Sequence, residues 1–215
     1  MIVVGGGTSR RFGSDKLLVE VHGRPLIGHT IDAIADRVDI CVVVCRPEVA
    51  ETLGQSHPDI VVVRGGATRT RSEMEGLAAL GDAPALIGIH DAARPLVSAD
   101  STDRLFALAE EHGGAVPVLD AGRVMIDKAT RLPVSGLRRA QTPQVFRGPE
   151  LLAAYDRAAR AGFDGHDTVD VVHRYSELEI VAVPGDPSNI KVTFPGDLET
   201  IRALLAGGPS RTSPR

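Results

Sequence analysis

The chain opens with a short apolar run, Ile2-Val3-Val4, followed by Gly5-Gly6-Gly7-Thr8-Ser9-Arg10-Arg11-Phe12-Gly13-Ser14-Asp15-Lys16. A strand that ends in glycines and continues into two arginines and a lysine is typical of a phosphate-binding loop. Glycines let backbone N–H groups approach an anion because no Cβ intervenes, and the cations neutralise its charge. The opening therefore predicts a phosphate site at the end of the first strand.

The spacing of this loop excludes the two commonest phosphate motifs. The dinucleotide fingerprint G-x-G-x-x-G needs glycine at position 10, where Arg10 stands, and the pattern G-x-x-x-x-G-K-[ST] is absent. A dehydrogenase of the Rossmann type also needs an acidic residue for the ribose after its second strand. Here Cys45 is followed by Arg46-Pro47, so that class is disfavoured.

Length and composition favour one soluble α/β domain with a substantial core. The chain has 215 residues, of which 43% are hydrophobic and 24% charged. A net charge of −4 argues against a sequence-independent nucleic-acid binder, which needs a basic excess. We expect no membrane partner, because no apolar stretch reaches the length of about 18 residues that spans a bilayer. We also expect no signal peptide, because the N-terminus lacks a charged region, a long hydrophobic region and a cleavage site.

The two cysteines, Cys41 and Cys45, lie within one apolar run. In a strand they would share a face at a separation of about 13 Å, too far for a disulfide, which needs Cα atoms within about 7 Å. Neither has a partner at metal-site spacing. Two buried free thiols favour a cytoplasmic location.

Apolar runs alternate with helical patterns along the chain. The predicted strands are Ile2–Val4, Ile40–Cys45, Ile60–Val63, Leu86–His90, Ala115–Leu119, Ile180–Val183 and Lys191–Thr193. The predicted helices are His29–Asp36, Ser72–Leu80, Asp100–Glu111, Pro149–Arg160 and Gly196–Leu205. This alternation predicts a mostly parallel twisted sheet with helices on both faces.

Two segments break the alternation. Between residues 120 and 139 the hydrophobic signal weakens and turn residues intrude, which predicts a projecting β-arm. Residues 207–215 are rich in Gly, Pro and Ser and predict a flexible tail. We therefore expect a single domain over residues 1–206 that carries the arm.

Polar clusters follow three further predicted strands, where α/β sheets bind ligands. They begin at Gly65, His90 and Asn189. Each cluster also has a purely structural interpretation. Gly65-Gly66 would make a tight turn, with Ser72 as a helix cap paired with Glu75. Asp91 would hold a divalent cation or pair with Arg94, and Lys16 and Lys191 would bind phosphate or lie solvated on the surface.

Together these pieces resemble the methylerythritol phosphate cytidylyltransferase family of the non-mevalonate isoprenoid pathway. The resemblance spans nearly the whole chain. It rests on G-G-G-T-S-R-R-F-G-S-D-K, H-G-R-P-L-I-G-H-T, G-G-A-T-R-T-R-S, H-D-A-A-R-P, A-Q-T-P-Q-V-F and N-I-K-V-T. The opening alone is also similar to molybdenum-cofactor guanylyltransferases of the same superfamily. The order of the later motifs favours the cytidylyl branch.

The resemblance implies a role for each matching residue. Arg11 and Lys16 would bind the triphosphate, and Lys191 would be the second catalytic lysine. The glycines Gly5, Gly6 and Gly7 would present backbone groups to the nucleotide, and Gly66 with Ser72 would contact cytosine and ribose. On the acceptor side, Asp91 would hold the metal and the acceptor, and Arg94 would reach toward the acceptor.

The implied reaction transfers CMP from CTP to a phosphorylated polyol, methylerythritol phosphate above all, with Mg²⁺ and with release of pyrophosphate. The resemblance also implies a homodimer that pairs through the arms. Two alternatives stay open at this stage. One is transfer to another acceptor, such as ribitol phosphate, and the other is a catalytically weak nucleotide-binding paralogue.

Three departures from the family pattern fall on the acceptor side. The arm has Ala121 where the family usually has threonine, and Val134 where it commonly has an arginine for the acceptor phosphate. His166 stands in the family's Thr-Asp segment. His166 would bind the acceptor phosphate in place of that arginine or cap a turn. Other candidates for compensation are Arg123, Arg138 and Arg139.

Overall fold

The computed structural model describes residues 1–7, 12–13, 15–122, 124–125, 133–134 and 136–207. Its strands are β1 (Ile2–Val4), β2 (Glu20–Val21), β3 (Arg24–Pro25), β4 (Val42–Cys45), β5 (Val61–Arg64), β6 (Leu86–Asp91), β7 (Gly113–Asp120), β8 (Val124–Met125), β9 (Pro133–Val134), β10 (Arg138–Ala140), β11 (Gln144–Arg147) and β12 (Glu179–Pro184). Its helices are α1 (Leu26–Asp32), α2 (Pro47–Ser56), α3 (Arg69–Ala78), α4 (Ala99–His112), α5 (Gly148–Arg160), α6 (Thr168–Tyr175) and α7 (Asp197–Ala206), with a 3-10 turn at Ala35–Arg37.

Eight strands form one mixed sheet in the order β10-β7-β11-β6-β1-β4-β5, with β12 beside β7. The pairs β1–β4, β1–β6, β4–β5 and β7–β12 are parallel. Strand β11 runs antiparallel between β6 and β7, and β10 runs antiparallel on β7. The predicted α/β fold with a mostly parallel sheet is confirmed, and the antiparallel insertion of β11 is an addition to it.

Successive side chains of the central strands enter different cores, one on each face of the sheet. Val3 and Val43 pack with α1 and α7 on one face, and Ile2, Val42 and Val44 pack with α3 on the other. A strand buried on both faces needs apolar residues at every position, which explains the unbroken valine run of β4. The same packing fixes the carboxyl ends of β1, β4 and β6 beside one another.

The structure corrects several predicted elements. Helix α1 starts directly after Pro25 and ends at Asp32, earlier than the predicted segment. Lys191–Thr193 is not a strand: Val192 N bonds Ala93 O at 2.9 Å, but the segment joins none of the described sheets. Helices α2 and α6 were not predicted, although Pro47 and the side chain of Asp167 mark their first turns.

The predicted cap at Ser72 is wrong. Thr68 caps α3 instead, since its side chain accepts a hydrogen bond from Arg71 N. Ser72 lies one turn further on and is buried, with its hydroxyl directed back at the loop before the helix. The helix therefore starts at Arg69, which places this arginine beside the loop.

Cys41 and Cys45 are free and buried, as predicted. Burial raises the pKa of the Cys45 thiol to about 11, and Asp15 adds to that shift. Within the described ranges, no helix is long and apolar enough to cross a membrane. In the region of the predicted arm, β8 and β9 form a two-stranded antiparallel pair outside the main sheet. Arg123 and residues 208–215 of the predicted tail lie outside the described residues.

The packing of α3 on the sheet can be tested at Gly76, where the helix lies against β1 and β4. A Cβ at Gly76 would lie 2.5 Å from Ile2 Cγ2 and 2.9 Å from Val44 Cγ2. We expect Gly76→Ala to destabilise the fold by about 1–3 kcal/mol through overpacking. Gly54 on α2 is the matched control, because its Cβ would meet nothing within 4 Å.

In Gly54→Ala the gain in helix propensity acts alone, so stability should rise by about 0.5–1 kcal/mol. Urea unfolding of both variants measures the difference. Equal effects of the two substitutions would show that α3 does not pack as closely as described.

Candidate active site

A cleft of about 580 Å³ opens at the carboxyl ends of β1, β5 and β6. It is lined by residues from four chain segments that the sequence analysis had singled out separately. They are Val4, Gly5, Gly6, Gly7, Lys16, Leu17, Gly66, Ala67, Thr68, Arg69, Ser72, Asp91, Ala92, Ala93, Lys191 and Thr193. Eight of the predicted site residues therefore share one cavity, and Arg11 lies outside the described residues.

Two glycine loops, Gly5–Gly7 after β1 and Gly65–Gly66 after β5, are packed directly against each other. A Cβ at Gly6 would lie 2.8 Å from Ser72 Oγ, and one at Gly65 would lie 3.1 Å from Gly6 Cα. Gly66 N donates to Ser72 Oγ at 3.1 Å, and the same hydroxyl donates to Thr68 O at 2.8 Å. Only glycine permits this approach, so the two loops form a single backbone-lined wall.

Gly7 has a different environment from Gly5 and Gly6. Among the described residues, a Cβ there would meet nothing within 4 Å. Gly5 N, by contrast, is anchored to Val44 O at 2.7 Å. Packing thus accounts for Gly5 and Gly6, whereas Gly7 lines the cleft without such a close neighbour.

Lys16 is placed by bonds on both sides of the cleft. Its Nζ donates to Val192 O at 2.6 Å, which connects the opening loop to the segment after β12. The preceding residue, Asp15, pairs with Arg46 and accepts a bond from Leu17 N at 3.1 Å. These contacts fix the chain direction at Lys16 and bring its ammonium group into the cavity.

Lys191 comes from the same segment that receives Lys16. Its Nζ lies 3.0 Å from Asp91 Oδ2, and its side chain is 38% exposed. The segment is held by α7, whose Asp197 Oδ2 accepts bonds from Thr193 N at 2.7 Å and Phe194 N at 2.8 Å. The two lysines therefore belong to one cationic region, as their motifs predict.

Asp91 is buried at the end of β6 and contacts three cations. Arg69 Nη1 lies 2.6 Å from Oδ1, while Arg94 Nε and Lys191 Nζ lie 3.1 and 3.0 Å from Oδ2. Burial alone would raise the pKa of this carboxyl, but the charges of Lys191, Arg69 and Arg94 outweigh it and hold the pKa well below its usual range. Asp91 is therefore ionised at any physiological pH.

His90 supports Asp91 from inside the sheet. Arg94 O can only accept, so His90 Nε2, 3.0 Å away, carries the ring hydrogen. Nδ1 then accepts from the Thr142 hydroxyl at 3.1 Å, and Thr142 Oγ1 accepts from Asp91 N at 2.9 Å. This chain requires a neutral imidazole. Burial lowers the pKa of His90 to about 4, which agrees with that state.

Arg69 is a site residue that the sequence analysis quoted in a motif without assigning it a role. It lines the cleft and bonds both Asp91 and Glu73, the latter through Nε at 2.8 Å to Oε1. A cation three residues after a strand-end glycine pair was the available signal. Its acidic partners come from a strand and a helix, so their proximity depends on the fold.

Two of the three acceptor-side predictions, Arg94 and His166, lie outside the described lining of the cleft, whereas Asp91 is part of it. Arg94 is buried behind Asp91, with Nη1 donating to Asn189 O at 2.7 Å. His166 is exposed in the loop before α6, and its backbone N donates to Asp170 Oδ2 at 2.8 Å. The next residue, Asp167, lies 3.9 Å from Arg69 Nη2. His166 thus neighbours the cleft through its loop, and both acceptor roles stay predictions.

The described residues offer limited ligation for a divalent cation. They contain no group of three His, Cys, Asp or Glu side chains that could hold a metal. Asp91 is the one carboxylate in the described lining, and three cations already share its oxygens. A Mg²⁺ ion in this cleft would therefore take at most one ligand from Asp91 and the rest from substrate phosphates and water, which is its usual mode in phosphoryl-transfer sites.

Comparison with known proteins identifies the family of this chain. The family described as 2-C-methyl-D-erythritol 4-phosphate cytidylyltransferase matches residues 1–207. The chain belongs to this cytidylyltransferase family. It is accordingly a CTP-dependent nucleotidyltransferase by family, and the resemblance drawn from its motifs is confirmed.

Individual cytidylyltransferases match over their full length. A protein of this name from Synechococcus sp. is 35% identical over 232 residues, covering 100% of this chain and 99% of that relative. One from Chromobacterium violaceum is 38% identical and covers 95% of this chain and 96% of the relative. The crystal structure of the Thermus thermophilus enzyme is 27% identical, with a TM-score of 0.81 over 96% of this chain and 98% of that one.

The neutral His90 makes stability depend on pH. Its pKa is lowered from 6.5 to about 4, so below pH 6.5 the unfolded chain takes up a proton that the folded one refuses. As pH falls through this window, His90 alone should remove about 3 kcal/mol of unfolding free energy. Stability should be flat with respect to this group above pH 7.

The test compares the wild-type protein with His90→Gln by urea unfolding at pH 7 and pH 4.5. Glutamine does not titrate, so the variant should lose less stability over this interval, although it starts from a lower value. Carboxylates contribute equally to both curves. Parallel curves would contradict the assigned neutral tautomer.

Proposed function

We propose that this chain transfers CMP from CTP to 2-C-methyl-D-erythritol 4-phosphate and releases pyrophosphate. The observation that carries the proposal is the convergence of two glycine loops with Lys16, Lys191 and Asp91 on one cleft. The names of full-length relatives, 35–38% identical, supply the nucleotide and the acceptor.

The backbone-lined wall formed by the two glycine loops binds CTP in this proposal. Backbone N–H groups at Gly6 and Gly7 bind the triphosphate, while Gly5, whose N–H is bonded to Val44 O, holds the loop in place beside the nucleotide. Gly66 and Ser72 contact cytosine and ribose on the adjoining loop. Lys16 contributes the charge that balances the triphosphate, together with Arg11, for which the support is sequence alone.

The chemical step needs positioning and charge rather than a covalent intermediate. An oxygen of the acceptor phosphate attacks the α-phosphorus of CTP, a new P–O bond forms, and the bond to the β-phosphate oxygen breaks in line. Lys16 and Lys191 stabilise the negative charge that accumulates around the α-phosphorus. Pyrophosphate leaves with the bonding electrons.

Mg²⁺ is part of this proposal as a partner of the nucleotide. The ion supplies charge neutralisation at the phosphates when it is bound. Asp91 is the residue of the described lining that offers it a carboxylate oxygen. The remaining ligands come from phosphate and water.

Assembly and location are proposed from the arm and from the cysteines. We propose a homodimer that pairs through the arms, because β8 and β9 pair only with each other within the described chain, and a lone two-stranded pair is marginally stable. A cytoplasmic location agrees with two buried free cysteines. Both statements are independent of the cleft geometry.

A panel of acceptors tests the function. Purified protein with CTP and Mg²⁺ should release pyrophosphate with methylerythritol phosphate and much more slowly with ribitol phosphate. Lys16→Ala should reduce turnover by at least about 100-fold, because one positioned donor at the reacting charge contributes roughly that factor.

Each other result of the panel has a defined meaning. Turnover of ribitol phosphate with failure of methylerythritol phosphate would replace the acceptor but keep the enzyme class. Binding of CTP without turnover of any acceptor would favour the nucleotide-binding paralogue.

His166 is the proposed substitute for the missing arginine at Val134. If its ring binds the acceptor phosphate, His166→Ala should raise the KM for the acceptor about tenfold and leave the KM for CTP unchanged, since a lost hydrogen bond to a charged group costs about 1.5–3 kcal/mol. His173→Ala is the matched control, because His173 is an exposed histidine on the following helix. Identical acceptor KM values in both variants would leave His166 as a turn residue.

A further inference from the structure

Arg69 directs its guanidinium group at three carboxylates from three parts of the fold. Nε lies 2.8 Å from Glu73 Oε1 on α3, and Nη1 lies 2.6 Å from Asp91 Oδ1 on β6. Nη2 lies 3.9 Å from Asp167 Oδ1 at the start of α6, beyond hydrogen-bond distance. The position of the guanidinium is therefore set by Glu73 and Asp91.

Glu73 is a rigid anchor for this arrangement. Its side chain is 1% exposed, and besides the bond from Arg69 it accepts bonds from Tyr155 OH at 2.6 Å and Thr168 Oγ1 at 3.0 Å. Helices α3, α5 and α6 thus meet at one buried carboxylate. Nothing in the proposed chemistry uses Glu73 directly, so its contact with Arg69 is the way in which it reaches the cleft.

The cations around Asp91 differ in how free they are to move. Lys191 is 38% exposed in its side chain, whereas Arg94 is 11% exposed and is also bonded to Asn189 O. When a substrate phosphate enters the cleft, Lys191 is the cation that can turn toward it. Its departure leaves the carboxylate of Asp91 buried, and a buried carboxylate that loses its partners is strongly disfavoured.

We propose that Arg69 is a positioning residue for the cytidylyl transfer proposed above: its guanidinium fixes Asp91 against Glu73, so that Lys191 can leave Asp91 for a substrate phosphate. Arg69 and Arg94 then still occupy both carboxylate oxygens. Without Arg69, the carboxylate retains Lys191 more strongly. The inference rests on the proposed function and adds a residue to it.

The geometry requires arginine rather than lysine. The planar guanidinium presents Nε and Nη1 along different directions at a fixed separation, which matches one oxygen on α3 and one on β6. A lysine ammonium is a single point charge and reaches one of the two carboxylates at a time. Charge alone should therefore restore only part of the effect.

The experiment compares Arg69→Ala, Arg69→Lys and the control Arg71→Ala. Arg71 lies on the same helix, is exposed, and contacts Met74 Sδ. Arg69→Ala should lower kcat about 30–100-fold with the KM for CTP within about threefold of wild type, since small misplacements of reacting groups cost about this much. The kcat of Arg69→Lys should lie between those of the wild type and Arg69→Ala. The kcat of Arg71→Ala should stay within about twofold of the wild type.

Chemical rescue separates positioning from folding. Millimolar guanidinium should restore kcat of Arg69→Ala at least tenfold with saturation and leave Arg71→Ala unchanged. A kcat of Arg69→Ala within threefold of wild type, or a loss that guanidinium does not reverse, would overturn the proposal. Where Arg69→Ala does not fold, the double variant Arg69→Ala/Glu73→Gln removes the charge of Arg69 together with that of the buried carboxylate of Glu73. It is judged by the same criteria.

The wild-type assay distinguishes failure of the proposed cytidylyl transfer from failure of the role assigned to Arg69. Absence of pyrophosphate release by the wild-type protein with CTP, Mg²⁺ and methylerythritol phosphate removes the proposed function. Normal wild-type turnover together with an indifferent Arg69→Ala removes only the role of Arg69.

Discussion

The carboxylate of Asp91 is the constraint on which the site depends. It is buried at the end of a central strand and stays ionised because Arg69, Arg94 and Lys191 surround it. A buried charge is tolerated only when it is paired and hydrogen-bonded, and the fold meets this need by bringing three cations to the end of β6. They arrive from α3, from the loop after β6 and from the segment before α7. The contacts that stabilise Asp91 therefore also bring these segments together at the cleft.

The packing beneath the cleft makes that position reproducible. Strand β1 lies between β4 and β6 in parallel register, which places Val4 opposite Val44 and Asp91. Gly76 lets α3 lie directly on Ile2 and Val44, and this contact carries Arg69 and Ser72 to the cleft. The neutral His90 completes the support through Thr142 from the antiparallel side of the sheet. Asp91, Arg69 and Ser72 thus lie on β6 and α3, whereas Lys16 and Lys191 lie on loops that are held against them.

The residues of the opening loop and Asp91 could be predicted, because the features that identify them are local in the sequence. Glycines after an apolar run, a lysine within the same loop and an aspartate after a buried strand can each be recognised from neighbours in the sequence, and the cleft contains all of them. Arg69 and Glu73 were not assigned, because their meaning depends on Asp91 and on Tyr155, which is 82 residues away from Glu73. Strand β11 was missed for the same reason. Its direction is a property of the sheet, whereas alternation along the chain predicts only parallel crossovers.

The charge distribution in the cleft explains why the nucleotide was easier to infer than the acceptor. Arg69 and Arg94 are committed to buried carboxylates and to a backbone carbonyl. Lys191 is half-exposed and shared with Asp91, so it is the described cation best placed to serve a second phosphate. The family's usual arginine at the position of Val134 is missing, and the proposed function gives its role to His166. Because the loop that holds His166 begins α6 through Asp167, and α6 contributes Thr168 to Glu73, this loop is joined by hydrogen bonds to the same network that holds Arg69.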